Sequence, residues 1–198
     1  MQSIDLQKHA LDGSVGYGGI GWSSGPNQWP TEIRDWLTLS GSLTAGVRGV
    51  STEFRVRREL EAWRRPWRDE AGLLGVSERE RVWTREVTLR DGDVPLVYAH
   101  TIAARSALPA WPWLRGLGDR PLGEVLFEHQ GVSRRPLAFR RLDARHPLFQ
   151  RAQSLVFEKG CGEPESLYAR RSVFVLQQRP LLVTELFFPE LFARKRVK

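Results

Sequence analysis

The sequence has little cysteine, little histidine and no long apolar run, and each shortage excludes a class of protein. A single cysteine, Cys161, stands among 198 residues. No disulfide can therefore form within the chain, and the reducing cytoplasm is the expected location. No apolar run approaches the ~18 residues that a membrane-spanning helix needs, and the first residues lack the basic and apolar regions of a secretory signal. The four histidines show no metal-ligand spacing, so the sequence predicts neither a membrane span nor a metal site.

Apolar residues and arginines, in contrast, are abundant. Hydrophobic residues make up 41% of the chain, and a chain of this length is typical of a single domain with a substantial core and room for an internal cavity. The formal net charge is +7, and 26 of the 30 basic residues are arginines spread along the chain. Because no basic stripe with interleaved aromatic residues marks a nucleic-acid-binding module, we expect an anionic small molecule rather than nucleic acid as the partner.

A glycine- and serine-rich segment covers residues 12–27. It contains a GxGxxG pattern from Gly16 and a GxSxG pattern from Gly21. Neither pattern has the preceding strand and following helix that would make it a phosphate-binding loop or a nucleophile elbow, so we interpret the segment as flexible. The predicted organisation is a leader at 1–28, a single domain at 29–192 and a basic tail at 193–198.

Within the domain, short helical patterns alternate with strand patterns. The expected helices are 30–39, 43–47 with Ser42 as its cap, a short one following Pro121, and 146–153. The expected strands are 50–56, 81–90, 95–103, 137–142, 171–177 and 181–188, with the second and third and the last two forming hairpins. Residues 60–78 are rich in tryptophan and arginine and are expected to form a loop. This pattern predicts an α+β domain built on an antiparallel sheet of about six strands.

Two of these strands carry a charged residue on a face that is otherwise apolar. Successive side chains of a strand point to opposite faces, so Arg85 shares a face with Val87, and Glu185 shares a face with Val183 and Phe187. A buried charge needs a partner, because its desolvation is costly. Two interpretations remain open. The two residues form a structural salt bridge, or both line a cavity in which the arginine binds an anion and the glutamate binds or moves a proton.

Four blocks of sequence occur in a recognisable order. They are DWLTLSGSLT at 35–44, RVWTREVTL at 81–89, RPLGEVLF at 120–127 and RPLLVTELFFP at 179–189. They resemble the DWLLLEDSMT, WxRE, (T/R)PLG…LF and KPLLLTELFLP patterns of the chorismate pyruvate-lyase family. A DG turn and the sequence AHTI follow the second block, as in the family's first hairpin. The resemblance extends over most of residues 35–190.

The resemblance implies a fold and an activity. The family converts chorismate to 4-hydroxybenzoate and pyruvate, which feeds ubiquinone synthesis, and it uses no metal and no organic cofactor. Its fold is a monomeric α+β domain whose antiparallel sheet and helical flaps enclose the ligand. We therefore expect chorismate as the substrate, 4-hydroxybenzoate as the bound product, and a monomer.

The resemblance also implies site residues, one position at a time. The arginine of WxRE corresponds to Arg85, expected to bind a substrate carboxylate, and the glutamate of TELF corresponds to Glu185, expected at the ring hydroxyl. These two are the expected catalytic residues. Leu122 is expected to contact the ligand through its backbone, and Leu43 stands where the family has a methionine of the flap. The sequence departs from the family at His100, where an arginine is common, so either a protonated His100 or another arginine would have to help neutralise the ligand.

A second class of function stays open at this point. The same fold resembles the effector-binding domains of some transcriptional regulators, so the alternative is a non-catalytic domain that senses an aromatic acid. Such regulators carry an N-terminal helix-turn-helix domain, and residues 1–28 are too short and too glycine-rich to form one.

Overall fold

The computed structural model describes residues 19, 21–156 and 164–194. The helices are α1 (Thr31–Leu37), α2 (Leu43–Arg48), α3 (Arg68–Leu74), α4 (Leu122–Glu128), α5 (Pro147–Val156) and α6 (Pro189–Phe192). The strands are β1 (Phe54–Arg64), β2 (Val82–Asp91), β3 (Val94–Ala103), β4 (Ser133–Arg134), β5 (Ala138–Asp143), β6 (Ser166–Leu176) and β7 (Arg179–Phe187). Two 3-10 segments, Arg105–Ala110 and Pro112–Gly116, connect β3 to α4. The longest of these helices has ten residues, and none of those described is long and apolar enough to pass through a bilayer.

The strands form one antiparallel sheet in the order β1-β2-β3-β7-β6-β4, with β5 also paired to β6. Both predicted hairpins are confirmed, as β2–β3 and as β6–β7, and β3 pairs with β7 to join them at the centre of the sheet. The α+β class and the antiparallel sheet are therefore confirmed, with seven strands where the sequence predicted about six.

The predicted helices are present, and local chemistry explains their positions. The Ser42 hydroxyl caps α2 by accepting a hydrogen bond from the Ala45 amide at 3.3 Å. Pro121 precedes α4, where its fixed φ suits entry into a helix. Gly92 takes a φ of +55° in the turn between β2 and β3, a conformation that glycine adopts without steric cost.

The prediction of a loop at residues 60–78 is wrong. Strand β1 continues to Arg64, and α3 occupies Arg68–Leu74. The pairing of β1 with β2 shifts register between Arg58 and Leu60, and such a bulge changes which residues face the core. The alternation of apolar and polar residues is interrupted at that point, so the second half of the strand has no period of two for sequence analysis to detect.

Helices pack on both faces of the sheet. We call the face that carries Arg85 and Glu185 the front face and the face that carries Glu86 and His100 the back face. Helices α1, α2 and α4 pack on the front face, whereas α3 and α5 pack on the back face. Because helices cover both faces, the first eight residues of β2 are all buried. Charged residues on these strands therefore need partners inside the protein.

Both ends of the described chain contact the domain. Trp22, which the sequence analysis assigns to the leader, is 5% exposed, and its indole N–H donates to Asp69 at 3.0 Å. Ser23 pairs with Phe139 in an isolated bridge. At the other end, Arg194 forms an ion pair with Asp91. Residues 1–18, the last four residues of the predicted tail, and Cys161 lie outside the described residues.

Candidate active site

A largely enclosed cavity lies between the front face of the central strands and helices α2 and α4. All four residues that the sequence analysis singled out line it: Leu43 on α2, Leu122 on α4, Arg85 on β2 and Glu185 on β7. The two helices meet over the cavity, where Arg48 forms a 2.8 Å ion pair with Glu124. The structure thus brings together four residues that are spread over more than 140 positions of the sequence.

Strand register determines where the charged side chains enter this cavity. Arg85 of β2 pairs with Thr101 of β3, and Thr101 pairs with Val183 of β7. Glu185 lies two residues further along β7, and Arg170 of β6 is directly opposite it. Strand β3 therefore lies between Arg85 and Glu185, and the two residues are also offset by two positions along the strand direction.

Arg85 is a buried cation that has no carboxylate within 4.0 Å among the residues that the structure describes. It is 1% exposed, and one of its terminal nitrogens donates to the carbonyls of Gly118 and Arg120, at 3.0 Å each. Its Nε is buried and has no hydrogen-bond partner in the described part of the chain. Burial lowers the pKa of Arg85, although a guanidinium stays charged at neutral pH. These contacts tie Arg85 to the loop before α4 and leave part of its guanidinium free to bind an anion.

Glu185 pairs with an arginine that sequence reasoning missed. The Nε of Arg170 donates to a Glu185 carboxylate oxygen at 2.6 Å. One terminal nitrogen of Arg170 donates to the carbonyls of Leu37 and Leu39, at 3.1 and 3.0 Å. The salt bridge between Arg85 and Glu185, one of the two interpretations left open by strand parity, is thus not formed. Side-chain alternation places Arg170 on the same face as Ser172 and Phe174. The predicted strand begins at residue 171, one position too late to include Arg170.

A third arginine, Arg134 of β4, also lines the cavity. Its guanidinium lies over the rings of Phe127 and Phe174, at 5.7 and 5.3 Å from their centroids. With Arg85, Arg170 and Glu185, it gives the charged lining three positive groups and one negative group. A cavity with this excess of positive charge favours a ligand that carries more than one negative charge.

His100 lies on the back face and does not line the cavity, although its neighbours Ala99 and Thr101 do. Its ring is 3% exposed and lies between two carboxylates, with Nε2 3.3 Å from Glu70 and Nδ1 3.3 Å from Glu86. The expectation that a protonated His100 could help neutralise a ligand in the cavity is therefore wrong, because strand alternation turns the side chain the other way.

The environment of His100 predicts a pH dependence of stability. Burial by itself would lower its pKa, but Glu70 and Glu86 outweigh this effect and raise the pKa to about 9. Because the folded-state pKa exceeds the unfolded value of about 6.5, protonated His100 contributes stability that is fully present below pH ~6.5 and is lost as the pH rises through 9. We expect this contribution to be on the order of 3 kcal/mol.

Chemical denaturation between pH 6 and pH 10 measures this contribution, with the variant His100→Gln as control. The free energy of unfolding of the wild type should fall between pH 7 and pH 9.5, and the variant should lose most of that slope. Parallel curves for the two proteins would show that His100 is not the titrating group.

The part of the chain that the structure describes contains no group of three or more histidine, cysteine, aspartate or glutamate side chains positioned to hold a metal ion. The charged side chains that line the cavity are three arginines and one glutamate, and the hydroxyls of Thr44, Thr101 and Ser172 lie beside them. Such groups bind anions, orient hydroxyls and stabilise developing negative charge.

Comparison with solved structures shows the fold alone. The C-terminal domain of PhnF superposes with a TM-score of 0.52 at 19% identity, covering 73% of this chain and 87% of that one. The C-terminal domain of the histidine utilization repressor from Pseudomonas syringae superposes with a TM-score of 0.51 at 12% identity, covering 74% and 96% of the two chains.

Sequence comparison identifies the family. The chorismate lyase family model matches residues 23–197. A probable chorismate pyruvate-lyase from Cupriavidus metallidurans is 46% identical over 166 residues, which is 83% of this chain and 77% of that protein. One from Nitrosomonas europaea is 38% identical over 171 residues, which is 86% of this chain and 94% of that protein. The chain therefore belongs to the chorismate lyase family.

Proposed function

We propose that this protein is a chorismate lyase, which converts chorismate to 4-hydroxybenzoate and pyruvate. The observation that carries the proposal is the enclosed cavity in which Arg85 and Glu185 enter from different strands of one face. Membership of the family and the names of the relatives support the same assignment. Chorismate has two carboxylates, and the positive charge of the cavity lining suits such a dianion.

Each of the four residues expected from the family resemblance has a defined part in this proposal. Arg85 binds the ring carboxylate through its guanidinium, a charge-assisted contact that fixes the orientation of the ring. Glu185, held in place by Arg170, accepts a hydrogen bond from the ring hydroxyl. The backbone of Leu122 contacts the ligand, and Leu43 supplies an apolar wall where the family has methionine.

The reaction needs little chemistry from these groups. The bond between the ring carbon and the ether oxygen breaks, and the hydrogen on the hydroxyl-bearing carbon leaves with the enolpyruvyl group. If that hydrogen moves directly to the enol methylene, pyruvate forms in the same step and the ring becomes aromatic. Aromatisation supplies the driving force, so the protein contributes orientation and charge placement.

The proposal also includes the oligomeric state of the protein, its compartment and the use of its product. The family resemblance supports a monomer that acts in the cytoplasm and supplies 4-hydroxybenzoate for ubiquinone synthesis. The single cysteine is consistent with a reducing compartment.

A direct assay tests the proposed function. Purified protein is mixed with chorismate in the presence of a chelator, and 4-hydroxybenzoate and pyruvate are measured together. We expect the two products to form in equal amounts. Binding of chorismate or 4-hydroxybenzoate without pyruvate formation would favour a non-catalytic sensor of aromatic acids, and a failure of both ligands to bind would limit the family assignment to the fold.

A further inference from the structure

We propose that Arg134 binds the second carboxylate of the substrate, the one on the enolpyruvyl group, and so distinguishes the dianionic substrate from the monoanionic product. This inference rests on the proposed function and deepens it. Arg134 stands in none of the four sequence blocks that resemble the family.

Arg134 is the cavity arginine with the fewest partners. Its guanidinium makes no hydrogen bond and no ion pair to any residue that the structure describes, and its Nε is buried without a partner. Its contacts are with the faces of Phe127 and Phe174, which attract a cation but satisfy none of its N–H donors. A partly buried cation whose N–H groups have no acceptors is strongly stabilised by an anion that accepts hydrogen bonds from them.

The other two arginines of the cavity, Arg170 and Arg85, already donate hydrogen bonds to acceptors within the protein. Arg170 has the Glu185 carboxylate and two backbone carbonyls as acceptors, so its charge is balanced within the protein. Arg85 has carbonyl acceptors but no carboxylate within 4.0 Å among the described residues. Within the described part of the chain, the two cavity cations Arg85 and Arg134 thus have no anionic partner, and a dicarboxylate supplies two.

The strand order separates these two cations. Arg85 is on β2 and Arg134 is on β4, which lie four strand spacings of about 4.8 Å apart in the sheet. Arg134 pairs with Phe174 of β6, whose side chain lines the cavity on the front face. The two guanidiniums therefore reach the cavity from opposite sides and suit two carboxylates at different ends of one ligand.

The position of Glu185 matches the connectivity of chorismate. The hydroxyl-bearing carbon and the ether-bearing carbon are neighbours in the ring, so the group that binds the enolpyruvyl carboxylate must lie close to the group that binds the hydroxyl. In the strand order, Arg134 on β4 lies two strand spacings from Glu185 on β7 but four from Arg85 on β2, so across the sheet it is nearer to the hydroxyl-binding group than to the other of the two cations. Arg85 then takes the ring carboxylate at the other end.

A contact between Arg134 and the enolpyruvyl carboxylate affects substrate and product differently, unlike a general role in anion binding. The product 4-hydroxybenzoate keeps the ring carboxylate but lacks the enolpyruvyl one. Arg134 should therefore contribute to the affinity for chorismate and not to the affinity for 4-hydroxybenzoate, whereas Arg85 should contribute to both.

The test compares the variants Arg134→Met and Arg134→Lys with the wild type. Methionine keeps an apolar side chain against the phenylalanine rings and removes the charge, whereas lysine keeps the charge and loses the planar guanidinium. We expect Arg134→Met to lower kcat/KM for chorismate roughly 10- to 100-fold, as the loss of a charge-assisted contact does. Its Kd for 4-hydroxybenzoate should stay within about threefold of the wild-type value, and Arg134→Lys should recover part of the loss.

Arg141→Met is a matched control. Arg141 of β5 also lies over an aromatic ring on an edge of the sheet, 5.9 Å from the centroid of Tyr168, but it is exposed and does not line the cavity. It should leave kcat/KM and Kd unchanged.

The outcomes separate the inference from the function on which it rests. Wild-type protein that forms no pyruvate would overturn the proposed function and the Arg134 assignment together. An active wild type would leave the function standing. In that case, an equal loss of affinity for chorismate and 4-hydroxybenzoate in Arg134→Met, or no loss for either, would overturn the assignment of Arg134 alone.

Discussion

Replacing Arg85 by alanine is expected to lower kcat/KM for chorismate by about 10³-fold and to weaken binding of 4-hydroxybenzoate. The change removes the cation proposed to bind the ring carboxylate, and charge-assisted contacts of this kind are among the strongest that a protein makes. It also removes the donor that holds the carbonyls of Gly118 and Arg120. The loop before α4 then loses its attachment to β2, and a displaced Leu122 adds to the loss of orientation.

Steady-state kinetics and a titration with 4-hydroxybenzoate measure this effect. Arg55→Ala, which removes an exposed arginine of β1 outside the cavity, is the control and should behave as the wild type. Arg85→Lys keeps the positive charge but not the planar fork, so we expect an intermediate value. Near-normal kcat/KM in a folded Arg85→Ala protein would contradict the proposed role of this residue.

Replacing Glu185 by alanine is expected to reduce both stability and activity. Arg170 is 1% exposed, and Glu185 is its carboxylate partner among the described residues. Removing one partner of a buried pair leaves a desolvated charge, which costs about 3 kcal/mol or more. For a protein of this size, that corresponds to a fall in Tm of roughly 6–12 °C, which thermal unfolding would measure.

Glu185→Gln separates the structural effect from the chemical one. The amide oxygen of glutamine can still accept a hydrogen bond from Arg170 and from the ring hydroxyl, so most of the stability should be kept. We expect kcat to fall less than about tenfold, because direct transfer of hydrogen to the enol methylene needs no protein base. A fall of about 10²-fold or more, in the range of a lost general base, would instead make Glu185 the proton acceptor. An unchanged Tm in Glu185→Ala would contradict the proposed importance of the pair with Arg170.

Sequence patterns predicted the two hairpins and the class of fold because β2, β3, β6 and β7 are runs rich in apolar and β-branched residues, and each pair is joined by a short turn. They failed at β1, where the register shift between Arg58 and Leu60 interrupts the alternation. Strand parity also singled out Arg85 and Glu185, because a charged residue on an apolar face is visible without any knowledge of neighbouring strands. The family resemblance added Leu43 and Leu122, which have no unusual local pattern.

Tertiary structure was needed to find the partners of these charges. Arg134 lies in a two-residue strand that is too short to show a period, and His100 could not be assigned to the back face until its strand and register were known.

The sequence by itself thus determined that Arg85 and Glu185 belong on the apolar face of their strands, because side-chain alternation is a local property of the backbone. It could not determine whether the two residues pair. That was decided by the strand order, which places β3 between β2 and β7, and by the register, which sets Arg170 directly opposite Glu185. Strand order and register arise from contacts between residues distant in the chain, so only the folded protein shows that Glu185 already has its cation and that Arg85 remains free for a ligand.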